Sequence, residues 1–307
     1  MKAMKNKVYL EGYLYDHGLQ KKVTGPNSKN PGTEYINGKI SIATDEACTN
    51  IIDVYYTYVV STTSKGTPNA TYKTLSDIID GVHKTYMSDG KDKALKVRVD
   101  TSIALNEWYD KDDQLISVKR NEGGFIHVVT ALNEDEKARN YFEEDIIITG
   151  TRNIEADEDR NLPEKLILRG AIFNFRNEIL PVEFSVINPN AISYFESLEL
   201  SKSNVVFTKI KGRQISETIT RTIVEEGAFG DSVREVTNTR KDSVVTWAMG
   251  EPYEFDSEDT ILASEFAKLI QDRETALATL KQRNDEYRES KAATPSAPVA
   301  NTGEFDF

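Results

Sequence analysis

Lys7-Val8-Tyr9-Leu10-Glu11-Gly12-Tyr13-Leu14-Tyr15 is the stretch on which the fold turns, and Lys165-Leu166-Ile167-Leu168-Arg169-Gly170-Ala171-Ile172-Phe173 is its echo. Each alternates and is rich in β-formers, so each reads as a strand. Gly12 inside the first predicts a bulge or sharp bend, of the kind that lets a strand curl around a small barrel. Lysine, leucine and glycine recur in place between the two, and every core-type position stays apolar. A turn and then a second alternating strand follow each copy, over 38–43 and 182–187. That parallel order predicts an internal duplication.

Working outward from the first copy, the run 24–32 is turn-rich, and strands are expected over 34–43 and 50–61. Tyr72, Leu75, Ile78, Ile79, Val82 and Tyr86 recur at helical spacing, predicting a helix over 71–86. Strand signals return at 94–105, 115–118 and 124–129; 133–140 reads as a helical turn, and Ile146-Ile147-Ile148 as a closing strand. Strand, strand, strand, helix, strand, strand is the layout of an OB-fold. The second copy continues with a short helix at 191–198, a strand at 204–210, weak alternation over 214–224 and 232–239, and a last strand at 244–249. The expected architecture is mostly β. It comprises two OB-fold-like small barrels in tandem (1–150 and 165–255) joined by an acidic linker (151–164). A long helix over 256–290 follows, with Arg273 and Arg283 interrupting its apolar seam. That thin seam leaves packing on a domain or pairing with another copy open. Residues 291–307, led by an Ala/Pro-rich spacer, cannot build a core and read as a disordered tail with an aromatic-acidic tip.

Composition narrows the classes. The chain has 307 residues, 38% of them hydrophobic and 29% charged, as expected of a globular protein with some unstructured sequence. No apolar run approaches the roughly 18 residues of a membrane span, and no secretory signal opens the chain, so a cytoplasmic protein without a membrane partner is expected. One cysteine, Cys48, excludes an intrachain disulfide framework and a cysteine-rich zinc site. The net charge of −12 is unevenly spread: residues 1–130 hold 17 basic and 16 acidic side chains, whereas residues 251–307 hold 6 and 13. The first body is therefore near neutral and able to carry a basic face.

The motif Asn6-Lys7-Val8-Tyr9-Leu10-Glu11-Gly12, a small barrel, a Pro/Ala-rich spacer and the ending Glu304-Phe305-Asp306-Phe307 together resemble the single-stranded DNA-binding protein family of OB-fold proteins. The resemblance covers 6–105 and the last five residues. The tail departs from the family in holding only two acids and in lacking the usual proline before the last aromatic. Two barrel-like units on one chain resemble the versions encoded by some bacteriophages or plasmids, which would place the protein in a bacterial host cytoplasm.

The resemblance implies sequence-nonspecific binding of single-stranded DNA during replication, recombination or repair, which needs stacking aromatics and a basic groove. The stacking candidates are Tyr56 and Tyr58, predicted to share one strand face, with Tyr13, Tyr15, Tyr35, Trp108 and Tyr109. Tyr55 points to the other face of the same strand, and which face is core is left open; Phe173, Phe175 and Trp247 in the second unit are weaker candidates, because a small β core needs its aromatics. The backbone-contact candidates are Lys21, Lys22, Lys39, Lys73, Lys96, Arg98, Lys119 and Arg120 in the first unit, and Lys209, Lys211 and Arg213 in the second. Core packing and plain surface solvation compete with each of these roles. The resemblance also makes Glu304, Phe305, Asp306 and Phe307 a docking peptide for replication or recombination proteins. No cofactor is implied.

An enzyme is not expected. His17, His83 and His127 show no metal-ligand spacing, Cys48 has no base nearby in sequence, and neither a phosphate loop nor a dinucleotide fingerprint is present. Asp112-Asp113 and Glu143-Glu144 sit in charge runs, where surface solvation is the default. The competing reading is a structural or assembly protein, virion-associated, built from two β domains.

Overall fold

The first alternating stretch forms strand β1, Asn6–His17, and the loop after it holds the short strand β2, Gln20–Val23. The computed structural model describes residues 4–156, 163–201, 204–225, 232–254, 261 and 263–292. β3 (Glu34–Ala43) and β4 (Ile51–Val60) follow, then α1 (Ala70–Ile79) and the single turn α2 (Tyr86–Asp89). α1 starts where the Asn69 side chain accepts from Thr71 N and buries Leu75 and Ile78. It stops before Gly81, whose φ of +70° leaves helical geometry, so it is shorter than its apolar spacing predicts. β5 (Lys96–Tyr109) and β6 (Leu115–Val128) form one long hairpin, and β7 (Asn140–Ile154) comes next. The second half holds β8 (Lys165–Phe173), β9 (Ile179–Val186), α3 (Pro189–Ser197), β10 (Val206–Glu225) and β11 (Ser232–Ala248), and α4 (Ala263–Ala292) ends the described chain.

All eleven strands join one mixed sheet in the order β10-β11-β9-β8-β7-β1-β5-β6-β4-β3-β2. The tandem of two OB-fold-like barrels expected from the sequence is therefore corrected to a single continuous sheet. β7 is the physical reason. It pairs with β1 over Asn6–Leu10, with β8 from Ile147 onward, and with β10 over Phe142–Ile148, so hydrogen bonding never breaks between the halves. One hydrophobic cluster likewise holds Val8, Leu10 and Val99 together with Phe142, Leu168 and Phe184. Each such side chain, when fully buried, contributes about 1.5–3 kcal/mol.

Two further pairings, β1 with β3 and β7 with β10, give both halves the same scheme. In each, the first strand pairs antiparallel with the second and fourth, and the third pairs parallel with the fifth, as β4 with β6 and β9 with β11. The strand in the place of β1 is thus β7. The sequence echo had matched β1 with β8. Gly12 matters through close approach: a Cβ there would lie 2.0 Å from Ala43 O, where β1 crosses β3.

An amide network ties the halves at their junction. Asn121 on β6 and Gln214 on β10 exchange two side-chain hydrogen bonds of 2.8 Å. The Asn140 side chain donates to Gln214 O at 2.7 Å and accepts from Gln214 N at 3.1 Å. Asn50 accepts from Ser216 N at 2.7 Å. Buried amides are costly unless paired, so this set holds β4, β6 and β7 in one arrangement against β10.

Phe266 and Leu269 at the start of α4 pack on the cluster of Ile147, Phe173, Phe207 and Ile261. Further along, α4 lies on the β5–β6 hairpin through Arg273–Glu107 at 2.5 Å and Arg288–Asp113 at 2.7 Å, with Lys281 Nζ 5.9 Å from the Tyr109 ring centroid. Among the described residues, no helix is long and apolar enough to cross a membrane.

Candidate nucleic-acid interface

On the β3–β4 pair, strand alternation sends Ile52, Val54 and Tyr56 into the core and leaves Asp53 and Tyr55 facing outward opposite Ser41 and Lys39. Tyr56 and Tyr58, predicted to share a face, are separated by a bulge. Ile36 pairs with Val59 and Gly38 with Tyr56, so Thr57 and Tyr58 together stand against Asn37 alone. Tyr56 is consequently 2% exposed and Tyr58 47%. Tyr58 lies against Tyr35, ring centroids 4.8 Å apart and tilted 38°, and Lys22 pairs across β2–β3 with Tyr35. Lys22 Nζ donates to Asn37 Oδ1 at 3.2 Å, so the ammonium stays beside this aromatic pair.

A groove of about 370 Å³ opens beside this face, where β4, the β5–β6 hairpin and the β10–β11 hairpin meet. Tyr55, Trp108, Val118, Arg120, Gln214 and Lys241 are among its walls. The Arg120 guanidinium lies 5.1 Å from the Tyr55 ring centroid and pairs with Glu122 at 2.7 Å. Asp53 pairs with Lys39 at 3.0 Å and more loosely with Lys241 at 3.9 Å. Trp108, 41% exposed, pairs with Ile116 on the groove side of the hairpin, while its neighbours Glu107 and Tyr109 face α4. Lys119 also lines the groove, but its ammonium is engaged elsewhere. Its Nζ donates to Glu183 O at 2.6 Å and lies 4.6 Å from the Phe184 ring centroid, and burial lowers its pKa to about 8.

The remaining candidates are dispersed. Tyr13 is 8% exposed and donates to Glu46 at 3.2 Å; Tyr15 stacks on Tyr86 at 5.0 Å. Lys21 pairs with Asp80 at 2.8 Å and Lys73 with Asp77 at 2.6 Å, both on the α1 side. Lys96, Arg98, Lys209 and Lys211 lie on the same core-averted face of the sheet as Tyr55 and Trp108 but outside the groove; Arg213 is exposed on β10. Phe173 is in the core, whereas Phe175 is 90% exposed at the β8–β9 turn beside Arg176. Glu304, Phe305, Asp306 and Phe307 lie outside the described residues. Lys241 was missed in the sequence reading: nothing local distinguishes it, and only the β10–β11 hairpin brings it to Asp53. Among the described residues, no group of three or more His, Cys, Asp or Glu could hold a metal ion.

A family model described as YorF matches residues 5–283. The chain belongs to the YorF family. The match extends through both halves and most of α4, so the YorF unit includes the whole sheet. No curated protein matches this YorF chain. Solved structures that resemble it include the wild-type single-stranded DNA binding protein from Thermus aquaticus and a deletion mutant of that protein. The wild-type form is 12% identical with a TM-score of 0.47, covering 84% of the YorF chain and 98% of its own. The mutant is 12% identical with a TM-score of 0.46, covering 84% and 100%.

Proposed function

We propose that this YorF protein binds single-stranded DNA without sequence preference, and that it protects and organises displaced strands during replication or recombination. The observation that carries the reading is the groove at the junction of the halves. There Trp108 and the Arg120-capped Tyr55 offer flat faces beside Lys39 and Lys241, next to the Tyr35–Tyr58 pair and Lys22. Any base has a π-face, so such walls accept all four bases, each stack contributing ~1–3 kcal/mol. Lys39 and Lys241 share one carboxylate, Asp53, at 3.0 and 3.9 Å, and the longer pair, with Lys241 exposed, contributes about 0–1 kcal/mol, so a phosphate can take its place at little cost. No turnover is involved.

Titration with fluorescent oligo-dT and with duplex DNA of the same length, at several salt concentrations, tests this. Preference for the single strand is expected. With four phosphate contacts, log K should fall against log salt with a slope of about −2 to −3. Absence of single-strand binding at low salt would end the proposal.

We further propose that Glu304, Phe305, Asp306 and Phe307 act as a docking peptide for replication or recombination proteins, the preceding Pro/Ala-rich spacer giving reach. Phe307→Ala should leave oligo-dT affinity within about twofold, since Phe307 lies beyond the matched unit, and should weaken capture of purified replication proteins. Equal capture by the variant refutes the docking role.

A further inference from the structure

Beyond the groove, the core-averted face of the sheet carries a second row of rings and cations. Strand register sets Phe125 on β6, Asp100 on β5, Tyr9 on β1 and Tyr141 on β7 side by side. Tyr9 and Tyr141 stack at 5.0 Å with planes 15° apart. The adjacent row runs Lys7, Glu143, Lys211 and Trp247 across β1, β7, β10 and β11. Lys7 Nζ lies 6.0 Å from the Tyr9 ring centroid and Lys211 Nζ 5.2 Å from that of Trp247. Phe125 is 68% exposed and Trp247 46%.

Most of the ion pairs here are long: Lys7–Asp100 at 3.3 Å, Arg98–Asp100 at 3.7 Å, Lys209–Glu143 at 3.8 Å and Lys211–Glu143 at 3.9 Å. Glu143 is shared by Lys5, Lys209 and Lys211, so cations outnumber the acids they pair with. A protein interface keeps charge out of its centre. This face has Asp100, Glu143, Lys7 and Lys211 in the middle of its aromatics, which fits a ligand that stacks on rings and exchanges one anion for another. The two tracks meet on β6. Arg120 lines the groove, and beyond Gly123 and Gly124 (φ +70° and +93°) the same strand presents Phe125 outward. A Cβ on Gly124 would lie 1.9 Å from Asp100 O, so this crossing requires glycine.

We infer that this row is a second binding track for single-stranded nucleic acid, continuing the strand that occupies the groove. The inference rests on the preceding functional reading and is tested by strand length. A short oligo-dT of about ten nucleotides spans one groove, whereas one of about forty reaches both tracks. The double variant Phe125→Ala, Trp247→Ala should bind the short oligo like the wild type and the long one at least tenfold more weakly. Because the chain holds two tryptophans, a Trp108→Phe background leaves Trp247 as the sole indole. Its fluorescence should be quenched by the long oligo and not by the short one. Unchanged long-oligo affinity of the double variant, with Trp247 unquenched, overturns the second track while leaving the groove intact. Conversion of a dimer to a monomer in sedimentation, without loss of long-oligo affinity, overturns it in favour of a second copy of the chain. Failure of the wild type to bind either oligo overturns both readings.

Discussion

Trp108→Ala is expected to weaken binding of a short oligo-dT by about 5- to 150-fold, the loss of one stacked base at ~1–3 kcal/mol. The ring is well placed to be felt. It is 41% exposed on the groove side of the β5–β6 hairpin. The back of that hairpin is held by α4 through Arg273–Glu107, whose side chains are only 17% and 14% exposed, and through Arg288–Asp113. A ring held in place beforehand costs little entropy when a base arrives. Trp108→Phe should keep most of the affinity, because a face remains. Both variants should unfold within a degree or two of the wild type, since the side chain is not in the core. Titration by fluorescence anisotropy, paired with a thermal melt, checks this. Wild-type affinity in Trp108→Ala would remove the ring from the interface.

The other large effect concerns stability and pH. Glu143-Glu144 reads in sequence as a solvated charge run, but alternation on β7 turns the two apart. Glu143 meets Lys5 at the surface, and Glu144 enters the core opposite Ile210 with no exposure and no hydrogen-bond partner for either oxygen. Burial holds its carboxyl well above the usual carboxylate range, as do the nearby charges of Asp145 and Glu143, while Lys119 pulls it back down. In the unfolded chain Glu144 ionises in the ordinary range. Between that range and its raised folded pKa the native protein keeps a proton the unfolded chain has lost. Its stabilising contribution is therefore complete at acid pH and falls by about 1.4 kcal/mol per pH unit as pH rises through the window. Glu144→Gln should remove that slope. Glu144→Met, which replaces an unpartnered polar group by an apolar one, should gain about 1–3 kcal/mol at neutral pH. Denaturant unfolding of the three proteins across pH checks both; parallel stability curves would show that Glu144 is solvated in the native state.

Much of the secondary structure was legible in the residues, for local reasons. The strand read at 34–43 is β3, and that at 50–61 is β4 within a residue at each end, because both alternate cleanly between turn-rich flanks. The β5–β6 hairpin was read as three fragments. Its far half packs on α4 and the groove instead of on a continuous core, and Gly123-Gly124 interrupts the alternation. The candidate site was legible in part. Tyr35, Tyr58, Trp108, Lys22, Lys39 and Arg120 come to one region, but Tyr56 follows Ile52 and Val54 into the core, and the bulge at Thr57–Tyr58 shifts the pleat by one residue so that Tyr58 turns outward without it. A bulge leaves no mark in composition.

Alternation and turn residues alone were enough to locate most of the strands, to bound β3, β4 and β8, and to establish that a long helix follows them and that rings and cations are interleaved. Only the tertiary structure decided that β7 serves both halves, that the groove forms where β4, β6 and β10 meet, and that Lys241 and Gln214 stand there. The period of two in a strand is a local property of the backbone, whereas the choice of neighbouring strand depends on contacts between residues as distant as Asn50 and Ser216, and no local pattern encodes that choice.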